Sequence, residues 1–201
     1  MWKKLLPIFF ALAFIGNMCA NPMITSAQTT AIFDDGRHVE LMIHGQIHNA
    51  QDEINLRAFS AGDLESIKII INSPGGDVVE MMGMMMHIED LKANGVHVTT
   101  EVTGRALSAG AFLWLLGDER IVNKGSKLMF HKPAYVNAYG AVDCSTLHES
   151  ACWALELDTK WGYDLLRSIA SEKVTDYLYN DKNVYINGQG AFDLGLATEI
   201  K

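Results

Sequence analysis

Ile67-Lys68-Ile69-Ile70-Ile71-Asn72-Ser73-Pro74-Gly75-Gly76-Asp77 is the stretch where the backbone changes its geometry most sharply. The isoleucine run is β-branched and nearly continuous, the composition of a strand buried on both faces of a sheet. Asn72 to Gly76 then breaks the strand with a proline and two glycines. Asp77 can cap a helix and complement its positive end. Val78, Met81, Met82, Met85, Ile88 and Leu91 follow at helical spacing, giving one apolar face, and Asn94-Gly95 ends it. The methionines from Met81 to Met86 read as adaptable core filler.

The same alternation continues on both sides. Upstream, Val39 to Ile43 predicts a strand ending at His44-Gly45, and Ala50 to Phe59 a short helix. Downstream, Val96 to Val102 is a strand. Gly104-Arg105-Ala106-Leu107 then leads through Ser108-Ala109-Gly110-Ala111 into a buried helix ending at Gly117. Glu119 to Val122 and Lys127 to Phe130 are short strands, the second closed by His131-Lys132-Pro133. A long helix is expected from Thr146 to about Ile169 and a short one from Glu172 to Tyr179. Tyr185-Ile186-Asn187-Gly188 reads as a turn, and Gly195-Leu196 stops a last helix before a terminal strand. Strands alternating with helices predict an α/β fold, and no shift in composition marks a second domain between residues 28 and 201.

The chain has 201 residues, 49% hydrophobic and 20% charged, the make-up of a globular domain with a real core. Its formal net charge of −8 and the lack of a lysine or arginine cluster argue against nucleic acid as a partner. Residues 1–27 differ from the rest. Met1-Trp2-Lys3-Lys4 is basic, Leu5 to Ile15 almost wholly apolar, and Asn17-Met18-Cys19-Ala20 small and polar. This is the pattern of a secretory signal peptide, cleaved after Ala20 or Ala27, and it is shorter than the about 20 apolar residues of a membrane-spanning helix. The expectation is a periplasmic or secreted protein, with anchoring by the same segment as the alternative. Loss of Lys3 and Lys4 would make the mature chain two charges more negative. Cys144 and Cys152 would remain. If both lay on one helix, their eight-residue separation would span about 12 Å, beyond the about 7 Å between bridged Cα atoms, so two free thiols are expected. No Cys-x-x-Cys pair is present. His44 and His48 are four apart, but in strand and loop, so no metal pair and no cofactor is expected.

Three segments carry candidate chemistry. A serine hydroxyl needs a base, usually histidine, and backbone N–H groups facing the developing oxyanion. Ser108 stands at the mouth of a helix among small neighbours. Gly75-Gly76 follows a buried strand and can present N–H groups while letting a substrate approach closely. His131 follows a strand at its C-terminal end, where α/β sites usually sit. Each alone has an ordinary structural reading: N-cap, tight turn, packed histidine. Trp114 and Tyr135 flank the region, Trp114 reading as core.

Taken together, Ile71-Asn72-Ser73-Pro74-Gly75-Gly76, Ala106-Leu107-Ser108-Ala109-Gly110-Ala111-Phe112-Leu113 and Leu128-Met129-Phe130-His131-Lys132-Pro133 resemble the ClpP family of peptidases, in that order and at about its intervals. The tail from Tyr185 to Leu196 is similar too, so the resemblance runs from about Val39 to Ile200. It implies a ClpP/crotonase-like spiral of β-α-β units in a single domain. It implies Ser108 as nucleophile, His131 as general base, and the N–H groups of Gly76 and Ala109, with Gly75 beside them, as the oxyanion site. The family's third member, normally an aspartate two residues before an aromatic, falls on Asn183, with Asp181 two residues away. Asparagine can orient a neutral imidazole but cannot stabilise an imidazolium by charge.

The implied activity is that of a serine endopeptidase acting on peptides or unfolded proteins, in a homo-oligomer. An ATP-driven unfoldase would be a partner only for a cytosolic protein. The alternatives are a scaffold or binding protein on the same fold, a CoA-using enzyme of the same superfold, and a membrane-linked Ser-Lys peptidase with Lys124, Lys127 or Lys132 as base.

Overall fold

The computed structural model describes residues 28–33, 37–48, 64–137, 140–142, 144–145, 147–180 and 182–201. The helix expected over Ala50 to Phe59, Asp181, and the side chain of Tyr135 lie outside what is described. In chain order the elements begin with β1 (Gln28–Phe33), β2 (His38–His44), β3 (Ser66–Ser73), α1 (Val78–Ala93), β4 (His97–Leu107) and α2 (Ala109–Leu115). They continue with β5 (Glu119–Val122), β6 (Lys127–Phe130), β7 (Tyr135–Asn137), β8 (Gly140–Val142) and α3 (Glu149–Ile169). The chain closes with α4 (Glu172–Leu178), β9 (Val184–Asn187), α5 (Gly188–Asp193) and β10 (Glu199–Ile200). The fold is α/β, a mostly parallel sheet with helices in a single domain. No helix among the described residues is long and apolar enough to cross a membrane.

The main sheet runs β1-β2-β3-β4-β5-β10, with β6 pairing β4 and β9 pairing β6. The β1–β2 and β6–β9 pairs are antiparallel and the others parallel. β4 shapes the architecture. Thr99–Val102 pair with β5, whereas Arg105–Leu107 pair with β6. Between them the β3–β4 register slips, from Ile71 opposite Val102 to Ser73 opposite Ala106. Extra residues on one strand bend it and increase its twist, and here the bend passes β4 from one neighbour to the next. Gly104 lies in the bend, where a Cβ would stand 2.8 Å from the Asn72 Oδ1.

The core follows from the isoleucine run. Ile67, Ile69 and Ile71 are at most 1% exposed, beneath Met81, Met84, Ile88 and Leu91 of α1. The methionine filler is graded: Met81 and Met84 are buried, Met82 and Met85 partly so, and Met86 is exposed. Asp77 caps α1 by accepting from the Val79 and Glu80 N–H groups. Trp114 is fully buried and donates to the Ile121 carbonyl, as a core residue should. Glu101, in β4, is buried against two lysines, with Lys68 Nζ at 2.7 Å and Lys201 Nζ at 3.0 Å. Burial alone would raise its carboxyl, but the two lysines hold it below the usual range.

Two sequence expectations are corrected. Cys144 and Cys152 form a disulfide, with Cα atoms 5.1 Å apart. The separation of about 12 Å holds only for two residues of one helix. In fact α3 begins at Glu149, capped by His148, so Cys144 lies in the preceding turn and the chain can fold back. Tyr185 to Asn187 form not a turn but the strand β9, which completes the edge of β6, and α5 starts at once on Gly188. A Cβ at Gly188 would stand 2.1 Å from the Asn123 carbonyl oxygen, so that glycine marks a close approach of two backbones.

Candidate active site

Three adjacent strands end at one place. β3 ends in the Gly75-Gly76 turn, β4 at Ser108, and β6 at His131. β4 neighbours both β3 and β6 in parallel, so the three segments lie together at the C-terminal edge of the sheet. This is where loops of open α/β sheets carry ligands and chemistry.

Ser108 is held in an unfavourable conformation. Its φ of 54° and ψ of −126° make it the one non-glycine residue with positive φ among those described. The Ser108 N–H donates to the Met129 carbonyl at 2.8 Å, and its own carbonyl accepts from Ala111 and Phe112 at the start of α2. Strand pairing on one side and a helix start on the other fix the backbone, and together they raise the side chain out of the turn. A backbone position of this kind costs on the order of 1–3 kcal/mol and tends to occur at functional sites.

The Ser108 hydroxyl meets His131 Nε2 at 2.7 Å. His131 is half-buried, and burial pushes its imidazole below the usual histidine range, a trend opposed by a hydrogen bond that the ring makes to the Lys132 backbone carbonyl. The shift favours the neutral ring, the form a base needs.

The glycine turn is set from both sides. Ile47 pairs with Gly76, its N–H donating to the Gly75 carbonyl at 3.0 Å and its carbonyl accepting from Asp77 at 2.8 Å. In such a parallel bridge the N–H of Gly76 itself points to the opposite edge, toward β4. Gly75 packs on the Ser108 turn; a Cβ there would stand 2.4 Å from the Leu107 carbonyl oxygen and 2.9 Å from Ser108 Cβ. The Gly75 N–H is taken by the buried Ser73 hydroxyl at 3.0 Å. The N–H groups of Gly76 and of Ala109, the first residue of α2, find no partner among the described residues. Ser73 was not singled out in the sequence, although its place between strand and glycines is the signal for a side chain that holds the turn.

Asn183 comes near but is not joined. The β6–β9 register pairs Phe130 with Val184, so Asn183 falls opposite His131 one step beyond the last pair. Its side chain is exposed and makes no hydrogen bond to His131 among the described residues. The pocket beside Ser108 and His131 is completed by residues the sequence did not flag: Phe112, Asp158, Trp161 and Tyr179. Among the described residues no lysine lines it, and the partner of the Ser108 hydroxyl is His131.

The site can therefore activate a hydroxyl, place a carbonyl carbon against it, and offer free N–H groups to the oxygen. The sequence model of the Clp protease family matches residues 41–201, which include the glycine turn, Ser108, His131 and all of β9. The match spans well over half the chain, and the chain belongs to the Clp protease family of peptidases.

Proposed function

We propose that the protein is a serine endopeptidase that cleaves peptides or unfolded proteins through an acyl-enzyme, with Ser108 as nucleophile and His131 as general base. The observation that carries this reading is the 2.7 Å contact between Ser108 Oγ and His131 Nε2, at a strained residue beside two unpartnered N–H groups. His131 takes the hydroxyl proton as Oγ attacks the scissile carbonyl, and returns it to the leaving amine. The N–H groups of Gly76 and Ala109 receive the oxyanion. Water then repeats the sequence to release the acyl group. A scaffold role would leave this geometry without a use, and a Ser-Lys mechanism would put a lysine where His131 stands. Asn183 occupies the third position in register only. Among the described residues the imidazole is held by the Lys132 backbone, and Asp181, the other candidate for the third position, lies outside them.

Two further readings belong to the same proposal. The protein is exported by its basic, apolar and then small-residue start. The Cys144–Cys152 bridge supports this, since such bonds persist in oxidising compartments. There it would act as a homo-oligomer without an ATP-driven partner. The test is degradation of a permanently unfolded protein, followed by mass spectrometry of the products. Internal cleavage that disappears in both Ser108→Ala and His131→Ala is expected. Cleavage surviving in His131→Ala but lost on substitution of Lys132 would overturn the assignment of the base.

A further inference from the structure

A groove of about 270 Å³ runs beside the glycine turn and has three borders. Residues 76–79 form one, Pro133 and Ala134 a second, and Leu155 and Asp158 of α3 the third. Pro133 and Ala134 lead directly into β7. β7 and β8 pair with each other and with no strand of the main sheet among the described residues. Cys144 follows this hairpin and is bonded to Cys152 of α3. Leu155 stands less than one helical turn beyond Cys152. The bridge therefore joins the hairpin that continues from one border of the groove to the helix that carries another.

Packing does little to fix the start of α3. No residue of α3 before Gly162 is buried, and Trp153 and Leu157 are 63% and 46% exposed. Leu155 also borders a cavity of about 440 Å³, together with Cys144 and Lys132. Side chains that line open space gain no packing from it. His148 caps the helix by accepting from the Ser150 N–H, which orders its first turn without placing it against the body. The far half differs: the Trp161 ring lies 6.2 Å from that of Phe112, and Leu166 is fully buried. Thus α3 is anchored by its core at the far end and by the bridge at the near end. Ser108 and His131 take their places from β4 and β6, which the bridge does not touch. Neither cysteine is buried, so the bond is open to thiol reagents.

We propose that the Cys144–Cys152 bridge is a redox switch on substrate binding: oxidation holds the groove beside Gly76 in shape, and reduction loosens it while leaving the Ser108–His131 pair in place. The proposal rests on the peptidase reading above and adds regulation to the same site. Oxidation takes two protons and two electrons from the Cys144 and Cys152 thiols and passes them to a disulfide oxidant, which becomes two thiols; a dithiol reductant runs the exchange backwards. With the bridge open, the near end of α3 and the hairpin move independently. A substrate chain must then order both borders as it binds, which weakens binding more than it slows the chemical step. A chain still in a reducing compartment would bind substrate poorly and gain its groove after export.

The test uses the full-length protein, oxidised with glutathione disulfide or reduced with dithiothreitol, with thiol alkylation and mass spectrometry to read the state of the bridge. Cleavage of a long, unstructured, internally quenched peptide gives kcat and KM, and a small fluorophosphonate reports separately on Ser108. Reduction is expected to raise KM by at least about fivefold, the lower end of coupling between two sites, and to leave the labelling rate within about twofold. Reoxidation should restore KM. Cys144→Ser and Cys152→Ser should each show the reduced KM and no response to dithiothreitol. An unchanged KM in protein shown to be reduced, a bridge that does not form under oxidant, or variants that still respond to reductant would overturn this proposal alone. So would labelling that is lost on reduction, because the bridge would then hold the fold rather than the groove. Oxidised wild type that does not label would overturn the peptidase reading, and this proposal with it.

Discussion

Gly76→Ala should damage fold and site together, and the size of the damage follows from the geometry. An alanine Cβ at this position would stand 1.9 Å from the Ile47 carbonyl oxygen, 2.7 Å from its carbon and 2.9 Å from its nitrogen. All three are backbone atoms, so no side chain can swing away. Residue 76 would have to leave Ile47. That opens the bonds from Ile47 N–H to Gly75 and from Asp77 N–H to Ile47, worth about 1 kcal/mol each. It also partly uncovers Ile47, which is fully buried and whose complete exposure would cost about 1.5–3 kcal/mol. The φ of +156° adds a conformational term of about 1–2 kcal/mol. The sum is about 3–5 kcal/mol. Gly95→Ala supplies the reference, because Gly95 has φ +83° but nothing within 4 Å of where an alanine methyl would sit. It should lose about 1 kcal/mol, the conformational term alone. Urea unfolding of the two variants gives the difference. Fluorophosphonate labelling under native conditions gives the functional loss, expected to be on the order of 100-fold for a displaced oxyanion donor. Equal destabilisation of the two variants, with Gly76→Ala labelling at the wild-type rate, would refute the reasoning.

Further predictions concern the base, the third position and the bridge. Because burial depresses His131 and only its neutral form accepts a proton, kcat/KM should hold as pH falls and be lost only through a midpoint below about 6.5; a midpoint above about 7 in a pH–rate profile would contradict this. Asn183→Ala should lower kcat/KM by less than about threefold, since no bond to His131 is broken, whereas a loss near 100-fold would make Asn183 the orienting residue. Asn183→Asp places a carboxylate opposite His131 and should move the acid midpoint upward, by up to about 1 unit. Cys152→Ser should lower stability by up to about 2.5 kcal/mol, the chain-entropy value for a closed loop this short; unfolding curves that coincide with and without reductant would show the bridge to be absent in solution.

The fold was legible where one physical rule governed a segment. The isoleucine run, its glycine break and the capped helix state their geometry locally, and Ser108 and His131 sit where those local signals end. What was not legible depends on contacts distant in sequence. Asp158 and Tyr179 reach the site because α3 and α4 pack over the strand ends, and nothing in their own neighbourhoods marks a pocket. Val184–Asn187 forms a strand because β6 offers it an edge, although its four residues end in turn chemistry. The bridge was hidden because a helical separation applies only if Cys144 is helical; α3 starts at Glu149, and Cys144, in the turn before it, folds back onto Cys152.

The most direct test of the central claim is to map the covalent adduct. The wild-type protein is treated with a fluorophosphonate, digested, and the modified residue read by tandem mass spectrometry. The account predicts a single stoichiometric adduct on Ser108, none in Ser108→Ala, and labelling slowed on the order of 1,000-fold or more in His131→Ala. An adduct on another serine, or equal labelling of wild type and Ser108→Ala, would contradict it.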